Sequence, residues 1–181
     1  ELTAAEIQGR KDAMKLTQYF RTTIPGFEDA RIQRTGAQIG VRETRRLDGV
    51  YLLSGHDVRN EAEFDDAIGL GCWSIDEHPN EARSNHSMYV PLPFQIPYRA
   101  LLPKDVGSLL VAGRCMSVDR DALASVRVGA TCTVTGQAAG AAAAIAAKKS
   151  LQPNEVDVKR LQSVLKDQGA MLDRPQKGRN E

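Results

Sequence analysis

The sequence predicts a mixed α and β fold, and three patterns support this prediction. Residues 1–24 have helical periodicity, since Ala13, Leu16 and Phe20 recur at the spacing of one helix face. Residues 128–147 form an uncharged run rich in Ala, Gly and Thr that is long enough for a second long helix. Between these two segments, short apolar runs interrupted by Gly and Pro are typical of strands.

The first helix is expected to begin at Thr3 and to end near Ile24. Thr3 and Glu6 have the spacing of a capping box, in which each side chain accepts a hydrogen bond from an exposed backbone amide. Pro25-Gly26 cannot continue a helix and therefore predicts its end.

The middle of the chain is expected to be mostly extended. Residues 30–55 alternate in short β-type runs, and Asp48-Gly49 between two of them is a hairpin signal. Residues 60–73 predict a short helix with an acidic start, and residues 73–86 an irregular polar loop. Residues 88–101 are expected to be extended, because their three prolines exclude a helix.

The last third of the chain predicts a strand followed by helices. Residues 108–112 are a compact apolar strand, and a connection of about a dozen residues leads to the helix that starts near Val128. A final amphipathic helix ends before Gly169, and the tail from residue 171 onward is polar and expected to fray.

The composition argues against several classes of partner. The 24 Lys and Arg nearly balance the 23 Asp and Glu, so the net charge of +1 predicts no nucleic-acid or membrane surface. The run 128–147 contains too little Leu, Ile and Phe for a membrane span, which predicts a soluble chain that is cytoplasmic by default. Three cysteines and three histidines without paired or metal-ligand spacing predict small buried thiols and no metal site.

The order strand, Gly113-Arg114, connection and helix predicts a ligand site at the start of the last long helix. A helix N-terminus carries exposed N–H donors and partial positive charge, and small residues there let a flat ligand come close. Gly136 and Gly140, one turn apart, would let a sheet pack tightly on that face. The same features also fit an Ala-rich core helix that binds no ligand.

Four segments resemble the C-terminal portion of the FAD-dependent oxidoreductase family, which has the glutathione-reductase-type flavin fold. These segments are GVRETRRLDGVYLLSGHDV, FDDAIGLGCWSIDEH, IPYRALLPKDVGSLLVAGRCMSVDRDALASVRVGATCTVTGQAAGAAAAIA and LQSVLKDQGAML. The resemblance implies FAD as cofactor and residues 108–112 as the last strand of its binding sheet. It places Gly113 and Arg114 near the ribityl-pyrophosphate. The flavin carbonyls would be bordered by Arg127, Val128, Gly129, Ala130 and Thr131.

The Gly-rich dinucleotide-binding motif that the family resemblance implies is not found in the sequence. No Gly-x-Gly-x-x-Gly follows a strand, so the N-terminal Gly-rich βαβ unit is expected on another part of the polypeptide or on a separate chain. The expected division is residues 1–50 as helix and strands returning from the FAD-binding domain and residues 51–100 as a substrate or cap segment. Residues 101–170 then form the last strand and helices of the FAD-binding domain, before the tail 171–181.

Candidate catalytic residues are His78, Tyr98 and Arg99. His78 follows Asp76 and Glu77, and a histidine beside carboxylates suits a general base, although the same acids also suit a surface turn. Tyr98 and Arg99 either orient a polar substrate or pack and pair at a sheet edge.

The resemblance implies hydride removal from a small polar substrate, with oligomeric state undetermined. The alternative is a non-catalytic subunit or scaffold that keeps the fold and binds no flavin.

Overall fold

The computed structural model describes residues 1–78 and 87–175, which divide between Arg42 and Glu43 into two compact units. The helices of the described part are α1 (Leu2–Thr23), α2 (Gly55–Arg59), α3 (Arg120–Val126), α4 (Gly129–Lys149) and α5 (Val158–Asp167). The strands are β1 (Ala67–Gly71), β2 (Ile75–Glu77), β3 (Ser87–Tyr89) and β4 (Phe94–Pro97). Helices and strands thus occur together, as the mixed α and β prediction requires. The division of the chain into four functional segments stays a prediction.

In the first unit, α1 ends where the sequence predicts but begins without the capping box. The N-cap residue is Glu1, and Thr3 lies inside the first helical turn. The Glu6 carboxylate is engaged elsewhere, since it pairs with Arg10 at 2.6 Å and accepts a hydrogen bond from the Ile39 amide at 2.6 Å. The prediction was wrong because a charged partner competes for the Glu6 side chain.

The strands expected in residues 30–55 are not formed. Only two isolated bridges occur there within the described part of the chain, Gly49 with Pro103 and Leu53 with Val118. Asp48-Gly49 is not a hairpin turn. Instead, the Gly49 amide donates to Ser117 Oγ at 3.2 Å, and a Cβ at Gly49 would lie 2.5 Å from the Ser117 Cβ. Glycine is required here for a close approach of two chain segments.

The second unit contains two small antiparallel sheets. Strand β1 pairs with β4, from Ala67 opposite Pro97 to Gly71 opposite Phe94, and β2 pairs with β3. The helix predicted for residues 60–73 is therefore wrong, because pairing with β4 overrides the local pattern. Part of the predicted loop 73–86 is strand β2, and residues 79–86 lie outside the described residues. The extended prediction for 88–101 is confirmed up to Pro97, after which residues 98–101 form a 3-10 turn.

Helix α4 lies in the core of this unit. It buries five small side chains along one face, namely Thr131, Thr135, Ala138, Ala142 and Ala146. Strand β1 packs on it, and a Cβ at Gly69 would lie 2.2 Å from Val134 Cγ1. Gly136 and Gly140 are exposed, with no atom within 4 Å of an added Cβ. The sheet was expected on those two glycines, but in the described structure the glycine that permits contact belongs to the strand.

The segment 108–112 is not a strand in the described structure. Its only backbone bond of sheet type joins the Val111 amide to the Leu101 carbonyl at 3.0 Å, and Ser108 has a positive φ of 54°. The expected strand is absent because no neighbouring strand pairs with it. The connection to α4, in contrast, contains α3, which is capped by the Asp119 side chain.

Two further expectations concern surface properties. Cys72 and Cys115 are exposed and Cys132 is half-buried, so the buried thiols expected from the sequence are not observed. No helix among the described residues is both long enough and apolar enough to cross a membrane.

Candidate functional site

The start of α4 is an open helix N-terminus. Val128 is the N-cap residue and its side chain makes no capping hydrogen bond. The first helical bond runs from the Cys132 amide to the Val128 carbonyl at 2.9 Å, so the amides of residues 129–131 have no acceptor inside the helix. Gly129 and Ala130 are exposed, and a Cβ at Gly129 would meet no atom within 4 Å. This end therefore has three amides without a helical acceptor, two of them on exposed residues.

A tight turn is fixed against the same part of α4. Residues Gly113–Cys115 form a 3-10 turn in which Gly113 has a φ of 69°, a left-handed conformation that favours glycine. The Gly113 amide donates to Oγ1 of the buried Thr135 at 3.0 Å. Gly113 and Arg114 are thereby held beside the first turns of α4, although the segment before them is not a strand.

Arg114 also lies close to Cys132 of α4. Burial raises the pKa of the Cys132 thiol, while the positive charge and the backbone amide of Arg114 oppose that rise. The Arg114 residue is itself exposed to solvent. The turn therefore places a cation next to the helix N-terminus and leaves it in contact with water.

Arg127 and His78, which the sequence places in different roles, are joined through Asp76. The Arg127 Nη2 donates to the Asp76 carbonyl oxygen at 2.9 Å and lies 3.5 Å from the Asp76 carboxylate. The same carboxylate is 3.2 Å from His78 Nε2. Because Arg127 connects α3 to α4, the cluster ties strand β2 to the residue that precedes the open helix start.

The comparisons with known proteins bear on this arrangement. A family model described as FAD dependent oxidoreductase matches residues 1–165. The chain belongs to the FAD-dependent oxidoreductase family. Neither the comparison with curated proteins nor the comparison with solved structures found a match. The resemblance seen in the sequence is thus confirmed, and with it FAD as the cofactor and flavin-dependent oxidoreduction as the class of chemistry.

The residues at α4 fit FAD, as shown by the donors they present. The pyrimidine side of a flavin carries hydrogen-bond acceptors, and its reduction adds negative charge there. The first turn of α4 offers uncapped amides and contains no acidic residue that would repel such charge. The exposed cation of Arg114 suits the phosphates of the cofactor. Residues 113–114 and 127–131 are therefore grouped in a way that FAD-dependent chemistry can use.

Tyr98 is engaged in structural contacts. It is buried, and its hydroxyl donates to the Pro153 carbonyl at 2.8 Å. Burial raises its pKa to about 12, so the hydroxyl stays protonated at neutral pH. Its phenol packs in the core as one of the two interpretations of the sequence expects.

Arg99 forms a two-point ion pair with Asp66. Its Nε and Nη2 lie 2.9 and 3.2 Å from the two carboxylate oxygens, and its backbone amide donates to the same group at 3.0 Å. The guanidinium also stacks over the ring of Tyr51, 5.2 Å from the centroid. These contacts match the pairing interpretation, and a catalytic role for Tyr98 or Arg99 stays a prediction.

Sequence reasoning missed three residues that organise the site. Thr135 accepts the Gly113 amide, and Asp119 caps α3 while also accepting from the Gly55 amide at 2.9 Å. Ser125 donates to the Trp73 carbonyl at 2.5 Å and so ties α3 to the segment before β2. Asp119 could have been predicted from the sequence, because an Asp whose side chain can accept from the amide three residues later, here that of Ala122, is an N-cap signal. Thr135 and Ser125 act across long sequence separations and carry no local signal.

No group of three or more His, Cys, Asp or Glu side chains in residues 1–78 and 87–175 is arranged to hold a metal ion.

Proposed function

We propose that this chain forms the flavin-side half of an FAD site and part of the adjoining substrate pocket. In this proposal the protein removes a hydride from a small polar substrate. The observation that carries the proposal is the open N-terminus of α4, with the Gly113–Cys115 turn bound beside it and the His78–Asp76–Arg127 cluster at the residue before its N-cap. Bound FAD supplies the hydride acceptor, at N5 of the flavin.

The first role of this chain is to bind and polarise the cofactor. The amides of residues 129–131 donate to acceptors on the pyrimidine side, and the dipole of a 21-residue helix adds positive potential there. Arg127, with its guanidinium held by Asp76, fixes the backbone at the helix start. A fixed positive end favours the form of the cofactor that carries more negative charge, which promotes hydride acceptance.

The second role is to hold a proton acceptor near the substrate. His78 Nε2 lies 3.2 Å from the Asp76 carboxylate, an acceptor that favours the tautomer with the proton on Nε2. We assign His78 as the group that accepts the proton of a substrate hydroxyl as the hydride leaves its carbon. Asp76 keeps the ring in this tautomer and stabilises the resulting imidazolium, and Arg127 keeps Asp76 in place.

The third element is a partner half that binds the adenine and pyrophosphate. A Gly-rich strand–turn–helix unit supplies such contacts in dinucleotide sites, and it would come from the same polypeptide or a separate one. The 181-residue chain alone is then expected to bind FAD weakly, since much of the cofactor would remain in water.

The cofactor part of the proposal is tested by absorption spectroscopy. The complete protein, containing this chain and its Gly-rich half, is expected to show a visible flavin spectrum with one FAD per chain. The 181-residue chain titrated with FAD is expected to bind at least 100-fold more weakly, roughly the loss of several phosphate contacts. A complete protein that stays colourless with added FAD would contradict the proposal and would favour the non-catalytic scaffold.

The proton-transfer part is tested by stopped-flow reduction with a panel of small alcohols and hydroxy acids. His78→Gln is expected to slow reduction by about 100-fold or more, the range seen for loss of a general base. His56→Gln is the matched control, because His56 is exposed on α2 and its ring is hydrogen-bonded to the neighbouring Asn60. Equal rates for the two variants would exclude His78 as the base.

A further inference from the structure

Thr135 has the contacts of a residue that holds another in position. Its hydroxyl is fully buried in α4, six residues after Gly129. Oγ1 accepts the Gly113 amide at 3.0 Å and donates back to the helix, where the carbonyls of Cys132 and Thr131 lie at 3.1 and 3.3 Å. A hydroxyl has one proton and two lone pairs, so this one can serve both segments at once.

The turn that Thr135 holds also has contacts elsewhere, including the Leu47 amide, which donates to the Cys115 carbonyl at 2.9 Å. Gly113 adopts a left-handed φ, and the turn closes on itself through one backbone bond from Met116 to Gly113 at 3.2 Å. A Cβ at Gly113 would make only ordinary contacts with Cys132, at 3.7 and 3.8 Å, so packing alone does not fix the turn. The hydrogen bond to Thr135 therefore links the first residue of the turn to the helix, beside the contact of the Arg114 backbone with Cys132.

This link decides what the turn can offer a ligand. Because the Gly113 amide is already donated to Thr135, it is not available to a phosphate. The neighbouring residue, Arg114, is exposed and cationic. The turn therefore contributes the Arg114 side chain, and Thr135 sets the backbone from which that side chain extends.

We propose that Thr135 is a positioning residue for the phosphate end of the cofactor site, acting by holding the Gly113–Cys115 turn so that Arg114 meets the phosphates. The inference rests on the proposed function, since it needs FAD at the start of α4. It assigns a specificity role to a buried threonine that touches no cofactor atom itself. Thr135 thereby distinguishes flavins that carry phosphate from those that do not.

The test compares two ligands, FAD and riboflavin, which share the ring system and differ in the phosphates. Dissociation constants for both are measured by fluorescence titration of the complete protein. Thr135→Val removes the hydroxyl at nearly constant volume and is expected to weaken FAD about 10-fold, as for loss of one hydrogen bond that positions a charged group. Riboflavin affinity is expected to change less than about 2-fold. Thr135→Ser, which keeps the hydroxyl, is expected to restore FAD binding.

Two further variants separate positioning from general damage. If Thr135 acts through Arg114, the double variant Arg114→Gln, Thr135→Val binds FAD no more weakly than Arg114→Gln alone. Thr17→Val is the matched control, because Thr17 also donates its hydroxyl to a helix carbonyl, Ala13 at 2.8 Å, but lies on α1. It is expected to leave both affinities unchanged.

The possible outcomes are distinct. Equal weakening of FAD and riboflavin in Thr135→Val, or additive effects in the double variant, would overturn the positioning role and leave the proposed FAD site intact. Failure of the wild-type complete protein to bind FAD would overturn both. A selective loss of FAD affinity that Thr135→Ser restores would support the proposal.

Discussion

Helices α1 and α4 have nearly the same length but opposite packing. Helix α1 has 22 residues and buries none of them, whereas α4 has 21 residues and buries five. The exposed side chains of α1 include large apolar ones, for example Leu2, Met14 and Tyr19. The buried side chains of α4 are only Ala and Thr. In this molecule, larger apolar side chains do not make a helix more buried.

The difference lies in how closely a neighbour can approach. Small side chains on α4 let β1 come near, and Gly69 on that strand provides the space that Val134 fills. On α1, residues 32–39 of the same unit form only an open groove of about 700 Å³ along the helix. Burial therefore requires complementary small and large residues on two facing elements, and α1 lacks such a partner within its own unit.

The two helices also share one feature, since neither start is capped by a side chain. The first turn of α1 is not part of the candidate site. The first turn of α4, in contrast, adjoins the Gly113–Cys115 turn and the Asp76 cluster. The same substitution in the two first turns can therefore separate effects on the helix from effects on the cofactor.

The largest expected effect is that of Ala130→Glu on the cofactor. A glutamate in the first turn complements the helix dipole and is neutral or mildly favourable for the helix. Next to FAD, the new carboxylate opposes the reduced, more negative flavin, and at an intermediate dielectric this costs on the order of 4 kcal/mol. We expect lower FAD affinity or a lower midpoint potential in the complete protein, measured by flavin and redox titration.

The control for this prediction is Ala4→Glu in α1. Ala4 is exposed in the first turn of that helix, so the variant is expected to leave FAD binding and potential unchanged. Thermal melts of both flavin-free variants should match the wild type closely. If Ala130→Glu binds FAD with unchanged affinity and potential, the start of α4 does not face the cofactor.

The next effect concerns the contact between β1 and α4. Gly69→Val adds side-chain atoms that would begin 2.2 Å from Val134 Cγ1, and β-branched Val134 has few rotamers with which to move away. We expect the free energy of unfolding to fall by about 3 kcal/mol, the upper range for overpacking. Denaturant titration followed by circular dichroism measures this loss.

Gly9→Ala in α1 serves as the opposite case. A Cβ at Gly9 meets no atom within 4 Å, so the variant is expected to stabilise its helix by roughly 0.5–1 kcal/mol. Equal effects at Gly69 and Gly9 would show that the close approach of β1 to α4 does not contribute to stability.

Periodic segments of the fold could be predicted from the sequence, and segments defined by pairing could not. Helix α5 and the bounds of α4 follow from periodicity and composition, both local properties. Strand β1 was read as a helix because its strand character comes from β4, about 30 residues later. Residues 30–55 show the converse, since alternating side chains form no strand when no neighbour pairs with them.

The candidate site divides in the same way. The grouping of Gly113 and Arg114 with residues 127–131 is what the family resemblance implies, and the order of a turn and a helix along the chain is consistent with it. The link from Arg127 to Asp76 spans 51 residues and depends on side-chain conformation, so the sequence gives no signal for it. The contact of Thr135 with Gly113 could likewise not be predicted, because a threonine inside a helix is usually a surface residue or a local hydrogen-bond donor.

A third prediction compares two tyrosines. Burial raises the pKa of Tyr98 to about 12, above the ordinary value of 10. The neutral phenol therefore contributes its full stabilisation below pH 10, and this contribution, about 2 kcal/mol, is lost as the pH rises through 12. Tyr98→Phe should be about 1 kcal/mol less stable at pH 7, because the Pro153 carbonyl loses its donor, and should lack this alkaline loss.

The measurement is the free energy of unfolding between pH 7 and pH 12. Tyr19→Phe is the control, since Tyr19 is exposed on α1 and its hydroxyl makes no buried hydrogen bond. A wild type and a Tyr98→Phe variant with parallel pH profiles would contradict the role assigned to the buried hydroxyl.

The smallest effect tests the outer face of α4. Gly136 and Gly140 are exposed and an added Cβ meets no atom, so each Gly→Ala change should stabilise the helix by about 1 kcal/mol and raise the melting temperature of the 181-residue chain by a few degrees. The spacing of these two glycines, one helical turn apart, in contrast predicts a sheet packed on this face. If this face is covered in the complete protein, the two substitutions would lower its stability, because the added methyl groups would push two packed elements apart. Thermal melts of the double variant, measured on the 181-residue chain and on the complete protein, show whether the glycine face is exposed or covered. Stabilisation of the 181-residue chain together with destabilisation of the complete protein would show that another segment of the complete protein covers this face of α4.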